Sequence, residues 1–237
     1  MDKTGKIIQR VRCAPGKTWQ SRHLVRKGTL VSLLIVLSGC VSIGDVNQAI
    51  GRIDRVWQLE YQRTEDEFRY RVIEADYQTT YQGVKRTFLD LGMAIQSGNP
   101  DSGLVVAEAT APTPLSREEW KEVARIENPR SKEIGGWFLE LRGDPKNYIV
   151  TLGAGLKSVS GKTFVLLEYS LDNPQMRGMG IRPSKYAPPL AVQLGCAKFW
   201  NRLTDNLRGA GVPPPRRRMN NEKEARAMGA PTAKVNS

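Results

Sequence analysis

YIVTLGAGLKSVSGKTFVLLEYSL, residues 148–171, is the stretch that decides the fold. Residues 148–156 and 163–171 are rich in the β-branched, aromatic and aliphatic side chains that favour strands, and Ser160-Gly161 between them is typical of a turn. The stretch therefore predicts an antiparallel hairpin. Its second strand carries the unbroken apolar run Phe164-Val165-Leu166-Leu167, so we expect that strand to be central in a sheet and covered.

Further strands are predicted on the N-terminal side of this hairpin. From Glu67, apolar residues alternate with arginines at the period of two that is typical of a strand: Phe68, Tyr70 and Val72 against Arg69, Arg71 and Ile73. A short strand at 93–96 and another at 104–106 flank the turn residues 99–103, which predicts another hairpin. The apolar run Trp137-Phe138-Leu139 is interpreted as one more strand.

Three helices are predicted among these strands. The first covers 77–91, where Asp76 or Thr79 is placed to cap its start and Gly92 to end it. The second begins at Ser116 in a capping box with Glu119, carries Leu115 and Trp120 as a hydrophobic staple, and runs to about residue 127. The third begins near Pro188 and Pro189 and presents one apolar face: Leu190, Leu194, Ala197, Trp200, Leu203 and Leu207.

This order of elements predicts a single α+β domain, an antiparallel sheet of about five strands packed by helices. It resembles the helix-grip and TATA-binding-protein-like architectures. Residues 77–109, a helix ending in Leu91-Gly92 followed by two strands around Asp101-Ser102-Gly103, also resemble the repeated domain of the BamC family, accessory lipoproteins of the outer-membrane barrel-assembly machine. That resemblance implies a role in envelope assembly.

The N-terminal segment indicates export. The apolar run 30–39 follows Arg22, Arg26 and Lys27, and it is much shorter than the roughly 20 residues that span a bilayer, which is typical of a secretory signal. Leu37-Ser38-Gly39-Cys40 resembles the lipobox of bacterial lipoproteins, which implies lipidation of Cys40 and cleavage before it. Val41, where an Asp would retain the protein in the inner membrane, implies the periplasmic face of the outer membrane. The long leader suggests a translation start at Val25.

Charge and spacing divide the remainder of the chain. Residues 1–40 carry eight Lys+Arg against one acidic residue and 211–237 carry six against two, which leaves 22 against 21 for 41–210. The charge of the body is therefore balanced, and nucleic acid is not an expected partner.

Residues 41–65 are predicted to be a tether that contains an amphipathic helix, because Val46, Ile50, Ile53 and Trp57 recur at helical spacing. It could pack on the domain 66–210 or lie on lipid. Packing is favoured because Asp45, Asp54 and Glu60 dilute a lipid-binding basic face. Residues 211–237 form an expected disordered basic tail.

The residue types and their spacing do not favour a catalytic site. Residues 41–237 contain no histidine, which removes the usual nucleophile–base pairs and zinc sites, so no catalytic residue, metal or cofactor is predicted. Glu118, Glu119 and Glu122 crowd one helix, but Glu118 and Glu119 belong to its first turn, where acidic residues suit the helix dipole better than an active site. Gly161-Lys162-Thr163 lacks the spacing of a phosphate-binding loop, because position 156 is Leu. Cys196 is expected to be a buried, inert thiol, and Arg216-Arg217-Arg218 to be a solvated basic run rather than an anion site.

Two functions remain open. The first is a non-enzymatic, lipid-anchored interaction or assembly module with envelope protein partners at the outer membrane. The second is a periplasmic binding protein for an apolar ligand such as a lipid, held between the sheet and the closing helix. For the apolar face of residues 190–207, packing in the core is favoured over such a cavity.

Overall fold

A single sheet organises the chain. In the computed structural model, the described residues are 42–136, 140–141 and 145–217. They contain five strands in the order β1–β5–β4–β3–β2, with every neighbouring pair antiparallel. The strands are β1 (Tyr70–Ile73), β2 (Ala94–Asn99), β3 (Leu104–Thr110), β4 (Ile149–Val159) and β5 (Lys162–Asp172). The predicted α+β class and its antiparallel sheet of five strands are confirmed.

The long hairpin forms where the opening stretch predicts it. Strands β4 and β5 pair along their whole length, from Ile149 opposite Asp172 to Val159 opposite Lys162. Ser160 (φ 51°) and Gly161 (φ 76°) close the hairpin. Two positive φ angles in a two-residue loop match the right-handed twist of the flanking strands. Strand β4, not β5, is the middle strand of the five.

Helices cover one face of the sheet. The helices are α1 (Ile43–Thr64), α2 (Tyr77–Asp90), α3 (Arg117–Gly135), α4 (Pro174–Gly178) and α5 (Pro189–Arg208). Side chains of α2 and α5 bury strand residues such as Val105, Leu152 and Leu167 in one core. We call this the covered face. The opposite side, the open face, keeps its side chains half-buried or exposed, Phe164 and Leu166 of β5 among them. The expectation that β5 is covered therefore holds for one face only.

Most of the predicted helix ends are observed. The Asp76 carboxylate accepts from the Thr79 amide at 2.8 Å, and Gly92 follows α2 with φ 76°. At α3, Ser116 and Glu119 accept from each other's backbone amides. Leu115 and Trp120 are buried together in a small second cluster. These features arise from contacts within a few residues, which is why the sequence predicts them well.

Strand β1 is shorter than predicted, and Arg71 rather than Tyr70 lies on its buried side. Residues Glu65–Arg69 form a π-helical turn, so the strand begins at Tyr70, and Arg71 and Ile73 point to the covered face. The Arg71 guanidinium donates to the carbonyl oxygens of Asp66, Glu67 and Tyr70 at 3.3, 2.7 and 2.7 Å. It also lies 5.4 Å from the Trp200 ring centre. A buried charge whose donors are satisfied is tolerated, so the apolar residues Tyr70 and Val72 face outward.

Two boundaries also differ from prediction. Helix α3 continues past Pro129 to Gly135, because Ser131 and Gly135 are buried and tertiary packing outweighs the hydrogen bond that proline cannot make. The tail prediction is wrong for 211–217: Arg216 and Val72 exchange two backbone hydrogen bonds of 2.9 Å. Strand β1 lies at the edge of the sheet, and the segment after α5 forms hydrogen bonds with backbone groups that this edge would leave unpaired. Residues 137–139, predicted as strand, and 218–237 lie outside the described residues.

Candidate functional site

An apolar cavity of about 280 Å³ lies beside helix α1, away from the sheet core. It is bounded by α1, the end of β5, residues 140–141 and the 173–188 segment that joins β5 to α5. Its apolar lining residues are Ile50, Ile53, Trp57, Leu141, Tyr148, Leu171, Met176, Met179, Pro183, Tyr186 and Pro188. The volume lies near the lower end of the range for small-molecule sites, and the predominantly apolar lining is typical of them.

Helix α1 supplies the floor of the cavity. Ile50, Ile53 and Trp57 recur at helical spacing on one side of α1, and each is buried. The helix starts in a capping box, in which the Ser42 hydroxyl accepts from the Asp45 amide and the Asp45 carboxylate accepts from the Ser42 amide. Helix α1 belongs to the same compact unit as the sheet. The amphipathic helix therefore packs on the domain, and its apolar stripe is partly core and partly cavity lining.

Polar contacts hold the opposite wall against α1. The buried Asp54 carboxylate accepts from the Ser184 hydroxyl at 2.6 Å, from the Lys185 amide at 3.0 Å and from the Arg182 guanidinium at 3.1 Å. Two turns earlier, the Asn47 side chain accepts from the Arg182 amide at 2.9 Å and donates to the Gly180 carbonyl at 3.3 Å. These bonds join residues some 130 positions apart in the chain, so the wall keeps its shape through contacts within the protein.

Helix α3 positions the third side of the cavity. The Asn128 side chain accepts from the Leu141 amide at 2.7 Å and donates to the Leu141 carbonyl at 3.1 Å, which fixes a lining residue. The buried Glu127 carboxylate accepts from the Leu190 amide at 3.0 Å, in the first turn of α5, where Pro188 makes no side-chain cap. Burial raises the pKa of Glu127, and the Leu190 hydrogen bond and Arg130 oppose that shift. Arg130 also forms an ion pair with Glu60 of α1.

The apolar face of the closing helix packs as core and does not line the observed cavity. Phe199, Leu203 and Leu207 of α5 are fully or almost fully buried in the main core, where the Phe199 ring centre lies 5.1 Å from that of Phe88. Ala197, predicted to face inward, is exposed, and Cys196 is buried instead. The favoured interpretation of this face as core is confirmed. Burial also raises the pKa of the Cys196 thiol to about 12, so the expectation of an inert thiol agrees with the structure.

The remaining residues singled out from the sequence do not converge on a site. Glu119 accepts from the Ser116 amide and pairs with Lys198 at 2.7 Å, and Glu122 pairs with Arg125 at 2.5 Å. Gly161 and its neighbours form the hairpin turn. Arg216 pairs with Glu74 and Arg217 with Glu67 along the β1 edge. Leu37, Ser38, Gly39, Cys40 and Arg218 lie outside the described residues.

Sequence reasoning missed the 173–188 segment, although signals were present. Asn173-Pro174, Pro183 and Pro188 mark a chain that leaves regular structure, and Met176 and Met179 are adaptable apolar side chains often found at binding surfaces. Within the described ranges, no helix is both long and apolar enough to cross a membrane. Across those same residues, no group of three His, Cys, Asp or Glu side chains is arranged to hold a metal ion.

Comparison with known proteins adds no relative. No protein-family model, no curated protein and no solved structure matches the chain.

Proposed function

We propose that this protein is a lipid-anchored, non-enzymatic protein of the bacterial envelope that binds an apolar group in the cavity beside α1. The Leu37-Ser38-Gly39-Cys40 motif supports the anchor, and Val41 after it supports the outer membrane as the destination. The observation that carries the binding role is the apolar lining of a cavity of about 280 Å³, with its far wall fixed by Asp54 and Asn47. A preformed apolar site of this kind binds without a large cost of ordering.

The polar groups near the cavity support binding rather than catalysis. Glu140 is the acidic residue among its lining residues, and it pairs with Lys132 at 3.1 Å. The Arg182 guanidinium at the rim is engaged by Asp54. A general base needs an accessible carboxylate or imidazole within reach of a substrate, and the carboxylates here are occupied by structural partners.

The binding role is tested by filling the cavity. The full chain is extracted in a non-ionic detergent and analysed by native mass spectrometry for co-purifying lipid. Ile53→Phe, which adds volume at the cavity floor, is expected to lower the fraction of lipid-bound protein severalfold. The matched control Ile126→Phe enlarges an exposed side chain of α3, 46% accessible, outside the cavity, and is expected to leave that fraction unchanged.

A second filling variant guards against misfolding of the first. Met176→Trp alters a half-buried residue of α4 that lines the cavity, so it adds volume with little demand on the core. Thermal unfolding confirms that each variant is folded. Repeated absence of lipid on the unaltered chain, or equal lipid content in all four proteins, would exclude the binding role.

The anchor is tested separately. The N-terminal peptide of the mature protein is expected to begin at Cys40 and to carry acyl mass. Cys40→Ser is expected to release the protein from the membrane fraction. A mature protein that starts elsewhere, or that stays membrane-bound after Cys40→Ser, contradicts the lipoprotein assignment.

A second candidate function, an assembly module that docks on envelope proteins, is favoured by the open face of the sheet. Gly153 and Gly155 lie there in the middle strand. A Cβ on Gly153 would lie 3.8 Å from the Cβ of Glu168, the nearest described atom apart from those of its chain neighbours. Glycine inside a strand often marks close approach of another chain. Affinity purification from solubilised envelopes tests this: Gly153→Arg should lower the yield of partner proteins, whereas Gly209→Arg, at the α5 end, should not.

A further inference from the structure

A polar groove adjoins the apolar cavity on the outer side of α1. It is lined by Asn47, Gln48, Arg52, Arg55 and Lys185, among others, and it shares Arg182 and Tyr186 with the cavity. The groove and the cavity are therefore neighbours, with Arg182 and Tyr186 lining both, so an apolar part and a polar part lie side by side.

The groove carries an excess of positive charge. Four of its lining residues are basic, Arg52, Arg55, Arg182 and Lys185, whereas Asp54 is the acidic residue among them. The Asp54 side chain is buried and already bonded to Arg182, Ser184 and the Lys185 amide. It neutralises one cation and leaves the others facing a solvent-exposed surface, since Arg52, Arg55 and Lys185 are exposed.

Gly51 of helix α1 allows the Arg182 guanidinium to lie close to the helix. A Cβ on Gly51 would lie 2.9 Å from an Nη atom of Arg182, so a larger side chain at position 51 would displace the guanidinium. Glycine in a helix interior costs roughly 1 kcal/mol relative to alanine. The close approach of Arg182 to the helix, at the junction of the groove and the cavity, gives a physical reason for the glycine at position 51.

We propose that the cavity and the groove form one site for an anionic lipid, with its apolar tail in the cavity and its negatively charged headgroup against Arg55, Arg182 and Lys185. This inference rests on the proposed apolar-binding function and adds the class of ligand. Each ion pair at a partly exposed site contributes little to the binding free energy. Several such pairs together allow the site to select a charged ligand over a neutral one.

Lipid selectivity of the full chain tests the inference. The chain in non-ionic detergent is titrated with phosphatidylglycerol and, separately, with diacylglycerol of the same acyl chains, and the bound fraction is measured by native mass spectrometry. Phosphatidylglycerol is expected to bind about fivefold or more tightly than diacylglycerol. Arg55→Gln with Lys185→Gln should reduce this ratio towards one, because it removes two exposed cations of the groove, neither of which has a side-chain hydrogen bond to another described residue. Arg117→Gln with Lys121→Gln, two exposed cations of α3 outside the groove, should leave it unchanged.

The outcomes separate the two proposals. Equal binding of both lipids by the unaltered chain overturns the headgroup site and leaves the apolar cavity standing. An anionic preference that survives Arg55→Gln with Lys185→Gln overturns it too. Binding of neither lipid overturns the apolar-binding function itself. An excess of inorganic phosphate that displaces the lipid completely assigns the groove to free phosphate and overturns the lipid as its ligand.

Discussion

The two faces of the sheet are built from alternate residues of the same strands, yet different constraints act on them. Along β4, Val150, Leu152 and Ala154 are completely buried against α2 and α5. Between them, Thr151, Gly153 and Gly155 lie half-buried on the open face. Packing within the chain determines the covered face, whereas no described residue comes close enough to either glycine of the open face to require a glycine there. The difference indicates which residues serve the fold and which are free to serve a partner.

The largest expected effect comes from truncating a large side chain on the covered face. Leu152→Ala should lower the free energy of unfolding by about 2–5 kcal/mol, because it leaves a cavity in a closely packed core. Leu166→Ala makes the same change on the half-buried open face and should cost less than about 1 kcal/mol. Urea denaturation measures both. Similar losses for the two variants would mean that the open face is covered in the intact protein, and the comparison between faces would fail.

A smaller effect, of opposite sign, is expected at the open-face glycine. Gly153→Ala should raise the free energy of unfolding by about 0.5–1 kcal/mol, because alanine loses less conformational entropy and its Cβ has room. Gly195→Ala in α5 is the matched test under the covered face. There the added Cβ would lie 2.6 Å from the Tyr169 ring, so we expect destabilisation of about 1–3 kcal/mol. Thermal unfolding of both variants checks the signs, and a destabilised Gly153→Ala would contradict the account of the open face.

Elements set by neighbouring residues are the ones that the sequence predicts. The Ser116–Glu119 capping box, the Asp76 cap and the Ser160-Gly161 turn each depend on contacts within a few positions. The β4–β5 hairpin follows from the turn, because strands with so short a connection pair antiparallel, as β2 and β3 also do.

Features that depend on distant partners are the ones that the sequence does not predict. Arg71 is buried because the preceding π-helical turn presents carbonyl oxygens to it, and the alternation of residues 68–73 does not reveal which face packs on the core. The cavity wall depends on Asp54, whose partners lie at 182–185. In the sequence Asp54 looks like a surface acid that would weaken a basic helix face. Its burial leaves that face positive, which reverses its expected contribution to lipid binding.

The smallest expected effect concerns the carboxyl group opposite Gly153 on the open face. Burial raises the pKa of Glu168, Arg69 lowers it and Glu65 raises it further. A raised pKa in the folded state means that protonation favours folding. The stabilising contribution is complete below the unfolded pKa of about 4.3 and is lost as the pH rises through the folded value. Glu168→Gln should therefore stabilise the protein more at pH 7 than at pH 4, by at most a few tenths of a kcal/mol because the site is partly exposed.

Ser170→Ala, on the same face of β5, controls for effects on stability that do not depend on the titration of Glu168. Thermal unfolding across this range measures the difference, and a Glu168→Gln curve parallel to that of the unaltered chain would show that the open face is as well solvated at Glu168 as the unfolded chain.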